Sequence, residues 1–572
     1  MLKSLFQRPW AQMTALVLAL AAAFLSGAAV VTAYQHRETI IMRLSAEIDK
    51  PVSDILTVDW TTLETGLLTL ERADIPLGQT AWWASGGAID AIGNTVLYIS
   101  SSGHIATLDL DRGVFEYSPF RAPMNYDYLQ QNVFNKQPSF HVDGFRVQDA
   151  LIVRGQTEDS AVLYVSHHVF DEATSEFCSV ISRTGLDLEN GSFKLTDGVW
   201  TELFRISECV SMEEFDWVFI GMEGGGKMLQ LDAEHLLLSV GDYGIAWELG
   251  IANDRVGKQY SNDFSKLLRI NMVTGEAKVF ANGVRNPQGL TMDDDGNIWE
   301  AEHGPQGGDE INLVREGADF GWPTVSLGMH YGEPRAPIPT NPVQGRHEGF
   351  DPPVMAFLPS VGLSAIAAIP EDTKAFGLWS GDLIATSLVG QTLFHIRRDA
   401  DRLIYAEPIV LGGRLRDIAL LDNGWIALLG NQDENLILLR DAAAQGENTS
   451  ASLSVSGYGA VAVREAAVAE LVPENEGGRF EFRSKCSSCH SLDGSPKAGP
   501  HLNGVVGRNI ASLEDYVYSD ALAEADGRWT TSRLIEFMEY PHEMYPGTTM
   551  PGGFGLDKWQ RREVAEYLAS IE

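Results

Sequence analysis

Basic residues are scarce in this sequence: 42 Lys and Arg stand against 78 Asp and Glu, a formal charge of −36 over 572 residues. That sign argues against nucleic acid and anionic membrane surfaces as partners and repels anionic substrates at long range; it serves equally as a solvated, aggregation-resistant surface. Cysteine is rare too, with four residues: Cys178, Cys209, Cys486 and Cys489. Long amphipathic helical patterns are missing from about Leu56 to Arg440, which leaves short β-rich runs to form the fold there. Core-forming residues are not in short supply, at 44% hydrophobic. The length suits three or four average domains, or one large β architecture with a small companion.

What is present begins with an uncharged stretch, Ala11 to Ala33, preceded by Lys3 and Arg8. About 21 helical residues span roughly 31 Å, the hydrocarbon thickness of a bilayer, and positive charge on the N-terminal side orients the rest outward. Residues 1–36 therefore read as a signal anchor, an N-terminal transmembrane helix. A cleaved signal peptide ending at Val31-Thr32-Ala33 is the competing reading. Both export the chain, to the periplasmic or extracytoplasmic side and, if uncleaved, anchored to the inner membrane. Cys178 and Cys209 belong to no ligand cluster, and an oxidising compartment would let them pair; two buried thiols are the alternative.

Cys486-Ser487-Ser488-Cys489-His490 is a C-x-x-C-H motif. Two thiols three residues apart can add across the vinyl groups of one haem, with the next imidazole beneath the iron. Alone, the motif also suits a redox-active C-x-x-C or half of a zinc site. Downstream, Pro546-Gly547-Thr548-Thr549-Met550-Pro551 offers a thioether in a tight loop; a soft sulfur opposite imidazole favours ferrous iron.

In the middle region one type of run recurs six times: Asn94–Ser100, Ala161–Ser166, His235–Asp242, Asn297–Glu302, Asp382–Ser387 and Gly424–Leu429. Six recurrences suggest six four-stranded blades around an axis, with an array of β-sandwiches as the alternative. Residues 441–475 shift to Ala, Ser, Gly, Val and Glu and read as a linker. The expectation is a mainly β chain: a six-bladed β-propeller over residues 50–440, then a small all-α domain over 476–572.

With Gly499-Pro500-His501-Leu502, Arg508, Tyr518-Ser519-Asp520-Ala521 and Trp529, the C-terminal pattern resembles class I, mitochondrial-type cytochromes c. The resemblance implies one covalent haem c on Cys486 and Cys489, with His490 and Met550 as iron ligands and the Pro500 carbonyl orienting His490. It also brings Arg508, Tyr518 and Trp529 towards the propionates. Phe537 departs from the pattern, standing where the family has a tyrosine near the methionine, and Thr549 stands where it has a lysine.

The segments Gly283-Val284-Arg285-Asn286-Pro287-Gln288-Gly289, Glu302-His303-Gly304-Pro305-Gln306-Gly307-Gly308-Asp309-Glu310, Phe320-Gly321-Trp322-Pro323 and Gly412-Gly413-Arg414-Leu415-Arg416-Asp417 resemble the glucose/sorbosone (aldose sugar) dehydrogenases. Members of that family are six-bladed propellers using pyrroloquinoline quinone (PQQ) and calcium. The resemblance implies that Arg285, Asn286, Arg414 and Arg416 hold the PQQ carboxylates and that the Gly304 and Pro305 carbonyls bind Ca2+. Two positions depart from it. Glu223 stands where the family has its histidine general base, and Val389 where a lysine contacts PQQ. His167-His168 invite a reading as a metal pair or substitute base, but neighbours on a strand face opposite ways and do not serve one site together. Two functions are then expected of the whole. One is a membrane-tethered PQQ dehydrogenase, with Glu223 as base, oxidising a sugar or alcohol and passing electrons through haem c to a respiratory-chain acceptor. The other is a haem c carrier whose propeller is a non-catalytic docking module.

Overall fold

The computed structural model describes residues 56–572, except 78–85, 130–143, 156, 158, 190–191, 197, 212–222, 245–261, 330–345, 432–434, 445–451, 457–475, 487–489, 493, 495–498, 514–515, 549, 551–555, 557 and 572. The expected N-terminal helix lies outside the described residues. Among those that are described, no helix is long and apolar enough to cross a membrane.

Six antiparallel sheets form six blades. Blade 1 runs Gly87–Ile92, Thr95–Ser100, His104–Asp109 and Val114–Arg121. Blade 2 runs Val147–Arg154, Ser160–Asp171 and the long Glu176–Glu189, whose outer edge pairs with Ser192–Leu195, Thr201–Arg205 and Val210–Ser211. Blade 3 comprises Gly225–Gln230, His235–Val240, Lys266–Asn271 and Ala277–Asn282. Blade 4 comprises Pro287–Met292, Ile298–Glu302, Asp309–Val314 and Met355–Phe357. Blade 5 comprises Leu363–Ala368, Leu383–Ser387, Thr392–Asp399 and Arg402–Val410. Blade 6 has Leu415–Leu420, Ile426–Gly430 and Asn435–Asp441, and is completed from the other end of the chain by Thr69–Pro76, with Thr61–Glu64 outside it. The first strand of each blade touches the first strands of its two neighbours, and blade 6 meets blade 1. The sheets form a closed propeller.

The recurring run is the second strand of each blade. These strands lie between neighbouring blades with both faces covered, so they are buried end to end rather than on alternate residues: Thr95–Ser100, Ile298–Glu302, Leu383–Ser387 and Ile426–Gly430 are buried throughout. The outermost strands face water on one side; Arg402–Val410 shows the mixed pattern this produces. Closure joins Asn435–Asp441 to Thr69–Pro76 in a seven-residue register, and Arg440 lies over the Trp60 ring at 3.8 Å.

Cys178 and Cys209 form a disulfide, with Cα atoms 4.6 Å apart, fastening the strand Glu176–Glu189 to its neighbour Val210–Ser211. Within the expected linker, Ser452–Val455 is a strand paired with Leu56–Asp59, and Val455 joins the core between blades 1 and 6.

The C-terminal domain is helical and has its own core, including Phe482, Cys486, Trp529, Phe537, Tyr545 and Val564. Its helices are Glu476–Glu481, Asp520–Ala523, Thr531–Glu539, Pro541–Met544 and Lys558–Ala569. Thr530 caps the third, accepting from Arg533 N at 3.1 Å. Gly478 lets the first and last helices touch: a Cβ there would come within 1.9 Å of the Glu563 carbonyl oxygen.

Candidate functional site

In five of the six blades the first strand loses register with the second near its start, between Val147 and Asp149, Gly225 and Met228, Pro287 and Gly289, Leu363 and Ala365, and Leu415 and Asp417. An extra residue in one strand bends it and re-aims the side chain. The residues skipped are Gln148, Gly226-Lys227, Gln288, Ser364 and Arg416. First strands start where second strands end, so these positions gather at one end of the propeller with the loops holding Glu223, Arg285, His303 and Val389.

Arg285 is the hub. Its Nη1 donates to the carbonyls of His303 (3.1 Å) and Gly304 (2.9 Å), and its Nη2 pairs with Glu223 Oε1. The guanidinium lies 5.4 Å from the Trp322 ring centre. Glu302 holds the turn from behind, Oε2 accepting from the backbone N–H of Arg285 (2.5 Å) and of Asn286 (3.3 Å). Asn286 Oδ1 accepts from Gln288 Nε2 at 2.7 Å, and Gln288 Oε1 accepts from Arg416 Nη1 at 3.2 Å. Arg416 Nε donates to Asn431 Oδ1 at 2.8 Å. Burial lowers the Arg416 pKa well below its usual value, and the nearby charges of Arg146 and Arg414 lower it further.

Glu223 sits in the left-handed region with φ +61°, where a side-chain-bearing residue costs roughly 1–2 kcal/mol. Gly241 permits this: a Cβ there would lie 1.8 Å from the Glu223 carbonyl oxygen. Glu223 Oε2 is buried beside the Asp242 carboxyl, which accepts from Trp322 Nε1 at 2.8 Å and Gly244 N at 2.9 Å. Burial, then the Glu223 charge, raise the Asp242 pKa well above the carboxylate range. The Asp242 carboxyl is thereby pushed toward its protonated form, while Arg285 pairs with Glu223 beside it.

The sequence-predicted residues Glu223, Arg285, Asn286, Arg414 and Arg416 are thus brought to one end of the propeller. Gly304 joins them, but differently from expectation. Its carbonyl accepts from the Arg285 guanidinium, and Pro305 packs on Gly328. A carbonyl aimed at a fixed cation is a poor ligand for a dication. The expected calcium site does not fit this arrangement, and no chemistry is derived through it. Val389 is 63% exposed on the loop after Leu383–Ser387 and supplies no charge. The two histidines part company as expected: His167 meets Ser182 Oγ at 2.9 Å, and His168 meets the Tyr243 hydroxyl at 3.0 Å. Burial pushes their pKa values down to about 4 and about 3, so both are neutral.

The sequence reading missed Arg146, Gln148, Gln288, Ser364, Asp242 and Trp322. A signal exists for three of them. Val147-Gln148-Asp149, Pro287-Gln288-Gly289, Leu363-Ser364-Ala365 and Leu415-Arg416-Asp417 each place a polar residue second in a first strand, after an apolar one.

The PQQ fit rests on the donor set. Four arginines converge, and Arg414 Nε, His303 Nε2 and Gln306 Oε1 are buried with no hydrogen-bond partner among the described residues. Buried polar atoms without partners cost free energy unless a ligand engages them, and a tricarboxylate matches this excess of cations. In the C-terminal domain, His490 Nδ1 donates to the Pro500 carbonyl at 2.7 Å, which places the ring's lone pair on Nε2, the tautomer an axial ligand needs. Met550 packs half-buried against the same core as Cys486; Cys489 lies outside the described residues. Arg508 donates to the carbonyls of His501 (2.7 Å) and Asn503 (3.3 Å), bracing this loop. The residues fit haem c.

A closed six-bladed propeller with a cationic end, joined to a helical domain with a histidine–methionine pair, defines the class. Residues 151–439, just over half of the chain, match the glucose/sorbosone dehydrogenase family, and the chain belongs to it. Residues 476–572 match cytochrome c. The chain is similar to the aldose sugar dehydrogenase YliI of Escherichia coli K12, 28% identical over 165 residues, covering 28% of this chain and 43% of that protein. It is also similar to the cytochrome c-type cyt cy of Rhodobacter capsulatus, 35% identical over 103 residues, covering 18% and 52%. The first curated relatives are spanned over only 43% to 60% of their lengths. Among solved structures, the apo soluble aldose sugar dehydrogenase of E. coli superposes with a TM-score of 0.49 at 18% identity, covering 65% of this chain and 99% of that one.

Proposed function

We propose that this chain is an electron-transfer oxidoreductase that oxidises a sugar or alcohol hydroxyl at the cationic end of the propeller. Its electrons leave through the C-terminal domain to a respiratory-chain acceptor. The observation that carries this reading is the convergence of Arg285, Arg414 and Arg416 with Asn286 among buried polar atoms that have no partner among the described residues. When bound, PQQ supplies a two-electron hydride acceptor and haem c a one-electron carrier, the pairing that lets one oxidation feed a chain of single-electron acceptors.

The chain's own residues do the rest. Arg285, Arg414, Arg416 and Asn286 bind and orient the cofactor's carboxylates. Glu223, paired with Arg285, is the carboxyl group at the site edge that takes the hydroxyl proton of the substrate. Cys486 and Cys489 would anchor the haem, and His490 and Met550 would hold its iron. The Cys178–Cys209 disulfide supports an oxidising, extracytoplasmic location, with Ala11–Ala33 as the anchor in the membrane or, if cleaved, the export signal.

The test is reduction of the haem band when PQQ-loaded protein meets a panel of aldoses and polyols. Glu223→Gln should lower that rate by about 10²- to 10⁴-fold and leave PQQ affinity within a few-fold of wild type. Unchanged turnover would remove Glu223 from its role. One specific observation favours a second reading, a propeller that only docks: Glu223 is tied into an ion pair, and Val389 brings no cation. Calorimetry separates the two, since a docking module has no tight PQQ site.

A further inference from the structure

We propose that the Tyr545 hydroxyl is a hydrogen-bond donor to the haem site, tuning its potential; this rests on the haem c reading above. Tyr545 lies five residues before Met550, directly after the helix Pro541–Met544. Its backbone is fixed on both sides: Tyr545 N donates to the Pro541 carbonyl at 2.9 Å, and Thr548 N donates to the Tyr545 carbonyl at 3.1 Å. The side chain is 7% exposed. Its ring stands edge-on to Phe537, with centres 5.6 Å apart, and to Trp529, at 6.2 Å.

The hydroxyl at the end of this ring is buried and has no hydrogen-bond partner among the described residues. A phenylalanine here would pack the same ring against the same neighbours without burying an unpaired polar group, so packing does not account for the oxygen. Buried oxygens of this domain that also lack a partner among the described residues include Ser519 Oγ beside Tyr518 and Asn503 Oδ1 on the loop that follows Pro500. All three flank segments that carry or brace the expected haem contacts. The acceptors that complete the site are propionate oxygens and the Met550 sulfur. Donation to either draws electron density away from the iron and favours the ferrous state. The sequence places no hydroxyl at Phe537, and Tyr545 supplies one from the ring packed on it.

The experiment is a redox titration of the haem absorption in full-length holoprotein, wild type against Tyr545→Phe. The expected result is a lower midpoint potential, equivalent to a roughly three- to tenfold rise in the ferric-to-ferrous ratio at a fixed poise. If the sulfur is the acceptor, the sulfur-to-iron charge-transfer band moves as well. If a propionate is the acceptor, the band stays, and the offset between variant and wild type changes with pH as the propionates titrate. Apo-protein unfolding should show the Phe variant no less stable than wild type, which a merely structural hydroxyl would not produce. An unchanged potential in a variant with an intact haem spectrum would overturn the proposal. So would an equal shift in Tyr540→Phe, a tyrosine that is 48% exposed. Absence of any haem spectrum in wild type would instead sink the haem reading itself.

Discussion

Lys227 and Arg416 both project from the starts of first strands at the same end of the propeller, and their surroundings are finished to different degrees. Lys227 Nζ lies between two carboxylates, Asp149 of blade 2 at 2.8 Å and Asp417 of blade 6. Those carboxylates are themselves saturated by backbone: Asp149 Oδ2 accepts from Met228 N at 2.7 Å, and Asp417 Oδ2 from Ile89 N at 3.0 Å. Burial alone would drive the Lys227 charge out, but the two carboxylates outweigh it and raise its pKa. One cation and its partners thus tie blades 1, 2, 3 and 6 together. Among the described residues Arg416 hydrogen-bonds only the neutral side chains of Asn431 and Gln288, and Arg146 and Arg414 oppose its charge more than Asp417 supports it. A buried network closed by protein groups is part of the scaffold. One left with surplus cations is built for an anion that the protein does not supply.

The largest effect should come from breaking the closed network. Lys227→Met leaves Asp149 and Asp417 buried without their cation and should cost about 3–5 kcal/mol in denaturant unfolding of the propeller. A loss below about 1 kcal/mol would mean that the network is not structural.

The pH dependence of the same network is the next largest. Burial raises Asp90 to about 7, with Asp149 and Asp417 adding to it, and raises Asp149 itself to about 6. A carboxyl raised in the folded state binds its proton more tightly there than in the unfolded chain. Its contribution is present at about pH 4 and is lost as pH rises to about 7. Glu302, raised to about 7 chiefly by burial, acts with the same sign. Unfolding followed over that window should show Asp90→Asn gaining about 2–4 kcal/mol on wild type between pH 4 and 7. Parallel pH profiles would remove Asp90 from the network.

The smallest effect on stability belongs to the open cluster. Arg414→Met removes a guanidinium whose Nε has no partner and which repels Arg416, so stability should change by less than about 1 kcal/mol. PQQ affinity, read by calorimetry, should fall roughly 10- to 150-fold. If Arg414→Met destabilised the fold as much as Lys227→Met, the contrast between the two networks would be lost.

The six second strands were legible because burial on both faces leaves a local mark, a short β-rich and mostly apolar run that needs no knowledge of the partner. Arg285, Asn286 and the Gly304-Pro305 turn were legible for another reason: their neighbours in sequence form a motif. Gln288 and Arg416 fill equivalent bulges on blades 4 and 6, yet only Arg416 was picked out. A glutamine within Pro-Gln-Gly reads as a turn until the register of its strand is known. The calcium expected at Gly304 is a related case. A Gly-Pro sequence says that a carbonyl is available, and only the fold shows that Arg285 has already taken it.

By itself the sequence determined the six blades, the order of the domains and the haem-binding pattern, because each is written in residues close together along the chain. The tertiary structure decided three things. It closed blade 6 with Thr69–Pro76. It set Lys227 between carboxylates 78 and 190 residues away, and it paired Glu223 with Arg285 across 62. In a ring of blades, residues become neighbours through the register of strands and the closure of the circle. No local pattern records which charges that closure will bring face to face.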